Sequence, residues 1–149
     1  MINRFLILIL LISLPGLAEE EINPALSSLY SAKTLRCAFP EGTQAEFKGE
    51  SIEKTASSMD SLIIFDSINV ESGTARMIGN VGAVDVTATI SFHGVSFLEV
   101  TDTGNIVITT AYVGDSITLF PAVMSRHLTI LQVPFPSQQY GWCEIFSTE

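Results

Sequence analysis

Residues 125–143 read S-R-H-L-T-I-L-Q-V-P-F-P-S-Q-Q-Y-G-W-C. This stretch combines an extended apolar-polar run, two prolines and the second of only two cysteines, Cys143; the other is Cys37. A bond between them would join the first regular element to the last and close a loop of about a hundred residues, which can stabilise a fold by roughly 4–5 kcal/mol. Because no C-x-x-C motif is present, we predict a structural disulfide rather than a redox site, with two buried thiols as the alternative.

Alternation of apolar and polar residues is the dominant pattern upstream of this stretch. It is clearest in V-D-V-T-A-T-I-S-F, residues 84–92, where every second residue is apolar. Similar runs recur at spacings of roughly 8–12 residues, separated by short turns rich in Gly, Asn and Asp. The pattern predicts an all-β domain of about eight strands over residues 34–149, either a single antiparallel meander barrel or a sandwich. A Cys37–Cys143 bond favours the barrel, because first and last strands are neighbours when a meander closes.

Several boundaries follow from turn-forming residues. Thr34–Phe39 and Gln44–Lys48 are predicted to be two strands joined by a turn at Pro40–Thr43. Residues 49–60 are polar and predicted to be turn-rich. Val133–Tyr140 is predicted to be a loop stiffened by its two prolines, with a closing strand after it.

The first 18 residues have the three parts of a secretory signal peptide. Arg4 precedes an apolar run from Phe5 to Leu14, and Gly16-Leu17-Ala18 provides a small-residue cleavage site. The apolar run is shorter than the roughly 20 residues that a membrane-spanning helix needs. We therefore predict a secreted or periplasmic protein with no membrane span after cleavage. Residues 19–33 form a lead-in segment, in which a short helical turn after Asn23 either plugs one end of the barrel or remains a mobile tail.

The charge balance narrows the classes of partner. The chain carries 16 acidic residues against seven Lys and Arg, a formal net charge of -9. Nucleic acid binding requires a basic face, so this composition argues against it. A basic protein partner is compatible with the acidic balance. After the leader, roughly 130 residues are enough for one domain with its own core.

No pattern in the sequence nominates a catalytic residue, a metal site or a cofactor. Ser125 and His127 share one strand face, but no nucleophile-elbow or oxyanion motif accompanies them, so a hydrolase is the least favoured function. The prolines pre-order the Pro134–Trp142 stretch and its rings are types enriched at contact sites. The alternative is that these rings only cover the end of the barrel. The residues that we nominate for ligand or partner binding are Arg126, His127, Phe135, Gln138, Tyr140 and Trp142.

Three blocks carry a resemblance to known proteins: L-R-C-A-F at 35–39, F-D-S-I-N-V-E-S-G-T-A-R-M-I-G-N at 65–80, and S-R-H with P-S-Q-Q-Y-G-W-C in 125–143. They resemble exported bacterial proteins of unassigned activity that have a signal peptide and two cysteines. The layout is more remotely similar to the small periplasmic lysozyme inhibitors, although their Ser-Gly-x-x-Tyr and Trp-x-Lys-Gly motifs are absent here. It is also similar in architecture to calycin-like barrels.

These resemblances and the strand pattern together predict a non-enzymatic binding protein. The first expectation is a small apolar molecule held inside the barrel, in an enclosed cavity of a few hundred Å³. The alternative is a protein-binding or inhibitory module of the cell envelope that uses the Pro134–Trp142 stretch.

Overall fold

A computed structural model describes residues 23–80 and 82–146, apart from the side chains of Asp60 and Ser61. The predicted signal peptide, residues 1–18, and the first part of the lead-in lie outside the described residues.

Eight antiparallel strands form a closed barrel in which each strand pairs with the next and β8 pairs with β1. This confirms the all-β prediction and selects the meander barrel over the sandwich. One short helix, α1 (Pro24–Ser31), precedes the strands. The strands are β1 (Leu35–Lys48), β2 (Ser51–Asn69), β3 (Thr74–Gly79), β4 (Gly82–Ser91), β5 (Gly94–Val100), β6 (Ile106–Tyr112), β7 (Leu119–Ile130) and β8 (Val133–Ile145).

The first two predicted strands are one strand, because Pro40 and Glu41 form a bulge rather than a turn. The pairing of β1 shifts register between Ala38 and Glu41 against β8, and pairing resumes on both sides of the chain after it. A bulge adds a residue without ending the strand, and it suits a proline that cannot donate to the ladder. In the segment 49–60, predicted to be turn-rich, only Gly49 and Glu50 form a turn, because β2 begins at Ser51 and pairs with β1 as far as Phe65.

The predicted loop at Val133–Tyr140 is also a strand. Val133 pairs with Ile130 across a two-residue turn, and the rest of the segment continues as β8. Both prolines precede Ser137, the first β8 residue that pairs with β1. The part of β8 before Ser137 pairs with β7 alone and is therefore an edge strand. Proline is tolerated on an edge strand because its missing N–H faces no partner there.

Alternation along every strand directs apolar side chains into the barrel. The rings of Phe65 and Phe97 stack with centroids 4.0 Å apart and an interplanar angle of 12°. The largest buried side chains around them fill the barrel interior, and each removes its apolar surface from water. They are Leu29, Leu35, Phe39, Val95, Phe120 and Met124.

Helix α1 closes one end of the barrel. Of the two alternatives for the lead-in, a plug and a mobile tail, the structure shows the plug. Asn23 caps the helix by accepting from the backbone N–H of Ala25 at 2.9 Å, and proline occupies the first turn. The side chain of Leu29 is only 1% exposed. Hydrogen bonds from Ser28 and Tyr30 to main-chain carbonyls tie the helix to the β6–β7 loop and to the end of β4. We call this the closed end; the opposite, open end carries the tips of the β1–β2 and β7–β8 hairpins.

The predicted disulfide is present. Cys37 and Cys143 are bonded, and both are fully buried. They are direct cross-strand partners, so the bond links β1 to β8 where the barrel closes. Within the described part of the chain, no helix is long and apolar enough to cross a membrane.

Candidate binding face on strand β8

The alternation of β7 and β8 divides the six nominated residues between two faces. Met124 and Cys143 point into the core, so Arg126 on β7 and Phe135 on β8 share the inner face. His127, Gln138, Tyr140 and Trp142 lie on the outer face. The structure therefore brings four of the six together and separates the other two. We call the outward surface of β8 with the adjoining outward residues of β1, β2 and β7 the β8 face.

An apolar groove of about 410 Å³ lies on the part of the β8 face nearer the closed end. Trp142 is 51% exposed and Tyr140 is 42% exposed. The bulge at Pro40 and Glu41 in β1 borders the groove and shapes its surface. The same bulge is the reason that β1 was predicted from the sequence to be two strands. The lining residues are Pro40, Glu41, Pro121, Ala122, Val123, Tyr140, Gly141 and Trp142.

A polar groove of about 280 Å³ follows toward the open end. Four neighbouring strands contribute to it, and none of its lining residues is acidic. Lys54 comes from β2, and Ser125 and His127 come from β7. The full lining is Thr43, Gln44, Ala45, Lys54, Ser125, Arg126, His127, Pro136, Ser137 and Gln138.

A row of hydrogen bonds connects the two grooves. The hydroxyl of Tyr140 donates to Gln138 Oε1 at 2.8 Å, and Gln138 Nε2 donates to Ser125 Oγ at 3.3 Å. Each bond holds a side chain in one orientation, which reduces the entropy lost when a ligand binds. Because Ser125 Oγ accepts this hydrogen bond, its own O–H remains available as a donor.

These contacts give no support to a Ser125–His127 nucleophile and base. Among the hydrogen bonds of the described residues, the Ser125 hydroxyl is engaged by Gln138 and none joins it to His127. Strand neighbours two positions apart are about 6.5–7 Å apart at the backbone, beyond hydrogen-bond reach without side-chain convergence.

The inner face becomes polar toward the open end. Gln139 is 1% exposed, and its Nε2 donates to Ser57 Oγ at 3.1 Å. Its amide extends over Gly42, where an added Cβ would lie 2.1 Å from Gln139 Oε1. That oxygen and Ser137 Oγ are buried without a hydrogen-bond partner among the described residues. This polar interior places Arg126 in surroundings that can solvate its charge.

Charge pairing is unevenly distributed over the described residues. Arg36 pairs with Glu144, Lys48 with Glu46 and Glu53, and Arg76 with Asp66. The remaining described cations, Lys33, Lys54 and Arg126, form no ion pair with another described residue. Two of these three line the polar groove.

The ionisable groups with a perturbed pKa are not among the residues that line the polar groove, although Glu53 is the sequence neighbour of Lys54. Hydrogen bonds from Arg76 lower the pKa of Asp66, and a hydrogen bond from Lys48 lowers the pKa of Glu53. No group of three or more His, Cys, Asp or Glu side chains among residues 23–80 and 82–146 is arranged to hold a metal ion.

Sequence reasoning missed the contributions of the other strands to this face. Lys54 falls in a segment predicted to be turns, and Pro40 and Glu41 were assigned to a turn. The alternation in S-R-H predicts the outward row of β7, whereas the outward row of β8 begins in a segment that was predicted to be a loop. Which side chains of β1 and β2 lie beside those rows depends on the register of strands far apart in sequence. No protein-family model and no curated protein matches this chain.

Proposed function

We propose that this chain is an exported, non-enzymatic protein that binds a partner protein through the β8 face. The observation that carries the proposal is the exposure of Trp142 and Tyr140 beside the apolar groove. Tryptophan and tyrosine are the side chains most enriched at the energetic centres of protein interfaces. Phe39 and Phe120, by contrast, are buried in the barrel, and the exposed ring of Phe92 lies outside both grooves.

The packed interior favours this reading over a small apolar ligand inside the barrel. A ligand of that kind needs an enclosed cavity of a few hundred Å³. Phe65, Phe97 and Met124 instead occupy the inside of the barrel. Both grooves of the β8 face are open to solvent along one side, which suits the surface of a macromolecule.

Two features support export. Cys37 and Cys143 form a structural disulfide, and such bonds are rare in the reducing cytosol. The first 18 residues have the sequence pattern of a cleaved leader.

The test is a quantitative comparison of variants with a partner captured from cell-envelope extract and then purified. The Tyr140→Ala/Trp142→Ala double variant should weaken binding by about 2 kcal/mol or more, roughly thirtyfold in Kd, because hot-spot rings contribute on that scale. Phe92→Ala is the matched control. Phe92 is 91% exposed, but it lies on the β4–β5 turn at the closed end.

Unchanged affinity in the double variant would overturn the assignment of the β8 face, whereas Phe92→Ala should bind like wild type. Both variants must first show wild-type unfolding by urea, since a partly unfolded barrel would lose any partner.

A further inference from the structure

We propose that the polar groove of the β8 face binds a single carboxylate group. Lys54 would pair with its charge, and His127, Ser125 and Gln138 would donate hydrogen bonds to its oxygens. The proposal does not rest on the proposed function. The carboxylate can belong to a small molecule or to a peptide chain, and the groove would bind either.

The first argument is the local charge. The chain as a whole has a net charge of -9, yet no acidic side chain lines this groove. Lys54 forms no ion pair with another described residue, whereas Arg36, Lys48 and Arg76 all do. A positive groove on an acidic protein concentrates anions locally, because the nearest charges dominate within a Debye length of about 10 Å.

The second argument is the set of hydrogen-bond donors. The ammonium of Lys54 is a point charge with three donors. Gln138 fixes the position of the Ser125 hydroxyl and leaves its proton free to donate. The hydroxyl of Thr43 and the ring of His127 complete a lining that can donate to oxygens. Hydrogen bonds to an ionised acceptor are roughly twice as strong as those between neutral groups.

The third argument selects carboxylate over phosphate. Lys54 is the one lysine or arginine whose side chain lies on the outer face of this groove, since strand alternation directs Arg126 to the inner face. One fixed positive charge balances a monoanion, whereas phosphate carries up to two negative charges near neutral pH. Arg126, whose side chain starts from the inner face, adds positive potential from that side of the sheet.

The test is a titration of the whole protein, with its disulfide intact, followed by NMR. The probe is N-acetylglycine, and N-acetylglycinamide is its uncharged analogue. We expect saturable shifts of the His127 ring and the Gln138 side-chain amide with a Kd in roughly the millimolar range, and none with the amide. Inorganic phosphate is titrated separately and should bind more weakly than N-acetylglycine.

Two lysine variants make the assignment specific. Lys54→Met removes the charge and keeps the aliphatic stem, and it should raise the Kd at least about tenfold. Lys33→Met removes another lysine that forms no ion pair with a described residue, from the closed end, and should leave the Kd unchanged. Equal binding of the acid and the amide, no effect of Lys54→Met, tighter binding of phosphate, or no saturable shift at all would each overturn the proposal.

Discussion

Removing the bond between Cys37 and Cys143 should cost this barrel several kcal/mol of stability. The two residues are 106 positions apart, and in the chain-entropy model a closed loop of that length stabilises the fold by about 4.7 kcal/mol at 25 °C. The folded state changes little, because β1 and β8 already hold the two positions opposite one another. The effect therefore acts mainly on the unfolded chain, which gains freedom when the bond is absent.

The assay is urea unfolding of the Cys37→Ala/Cys143→Ala variant, with fully reduced wild type as the control. Reduced wild type lacks only the bond, whereas the variant also loses two buried sulfur atoms and should be slightly less stable still. We expect a loss of about 3–5 kcal/mol in both, which is about a fifth or more of the 5–15 kcal/mol typical of a domain. The dependence of the unfolding free energy on urea should steepen, because the unfolded chain exposes more surface. A loss below about 1 kcal/mol in reduced wild type would refute this reasoning. It would mean that strand pairing alone keeps the barrel closed between β1 and β8.

Three further predictions concern the fold. Leu29→Ala should lower the free energy of unfolding by about 2–5 kcal/mol in urea titrations, because it empties the buried contact between α1 and the barrel; a loss below about 1 kcal/mol would show that α1 does not stabilise the closed end. Gly141→Ala should destabilise by about 2–4 kcal/mol, since the added Cβ would lie 1.8 Å from a main-chain oxygen of β1, whereas Gly79→Ala, where nothing lies within 4 Å, should change thermal stability little. Arg76 lowers the pKa of Asp66, so this pair stabilises the fold above about pH 4 and the contribution is lost as the pH falls further. Asp66→Asn should therefore lower stability by up to about 1 kcal/mol at neutral pH and flatten its decline in acid; an acid limb parallel to that of wild type would contradict this.

The alternation of apolar and polar residues was enough to predict those strands in which it continues without a proline or a bulge. In β4 the buried residues Val86 and Ala88 fall where the pattern puts them. The disulfide followed from cysteine count, compartment and position in the chain. Both inferences need only local sequence and the rule that a meander closes on itself.

The errors have a common physical cause. Pro40 and Pro134 are strong turn signals, but each sits in a strand held by a partner that the local sequence does not show. At Pro40 the pairing with β2 and β8 carries the chain through a bulge. At Pro134 the partner is β7 alone, across the turn at Leu131–Gln132. Tertiary pairing outweighs turn propensity in both places.

The candidate site was half predictable for the same reason. Alternation predicted that Ser125 and His127 share one face, whereas Gln138 and Tyr140 fell in a segment predicted to be a loop and were placed beside them only by strand β8. Lys54 could not be placed beside them without the register of β2 against β1, in which it pairs with Ala45. That register depends on the bulge at Pro40–Glu41, which the sequence shows only as turn-forming residues.

The hydrogen bond from the Phe146 N–H to the Thr34 carbonyl, 3.1 Å long, has a practical consequence for any experiment that tethers this barrel. The strand that begins the barrel and the strand that ends it meet beside α1. A bead, sensor chip or fusion partner attached through either flank would therefore stand at the closed end. The tips of the β1–β2 and β7–β8 hairpins would point away from the support, so the polar groove would stay open to the solution whichever flank is used.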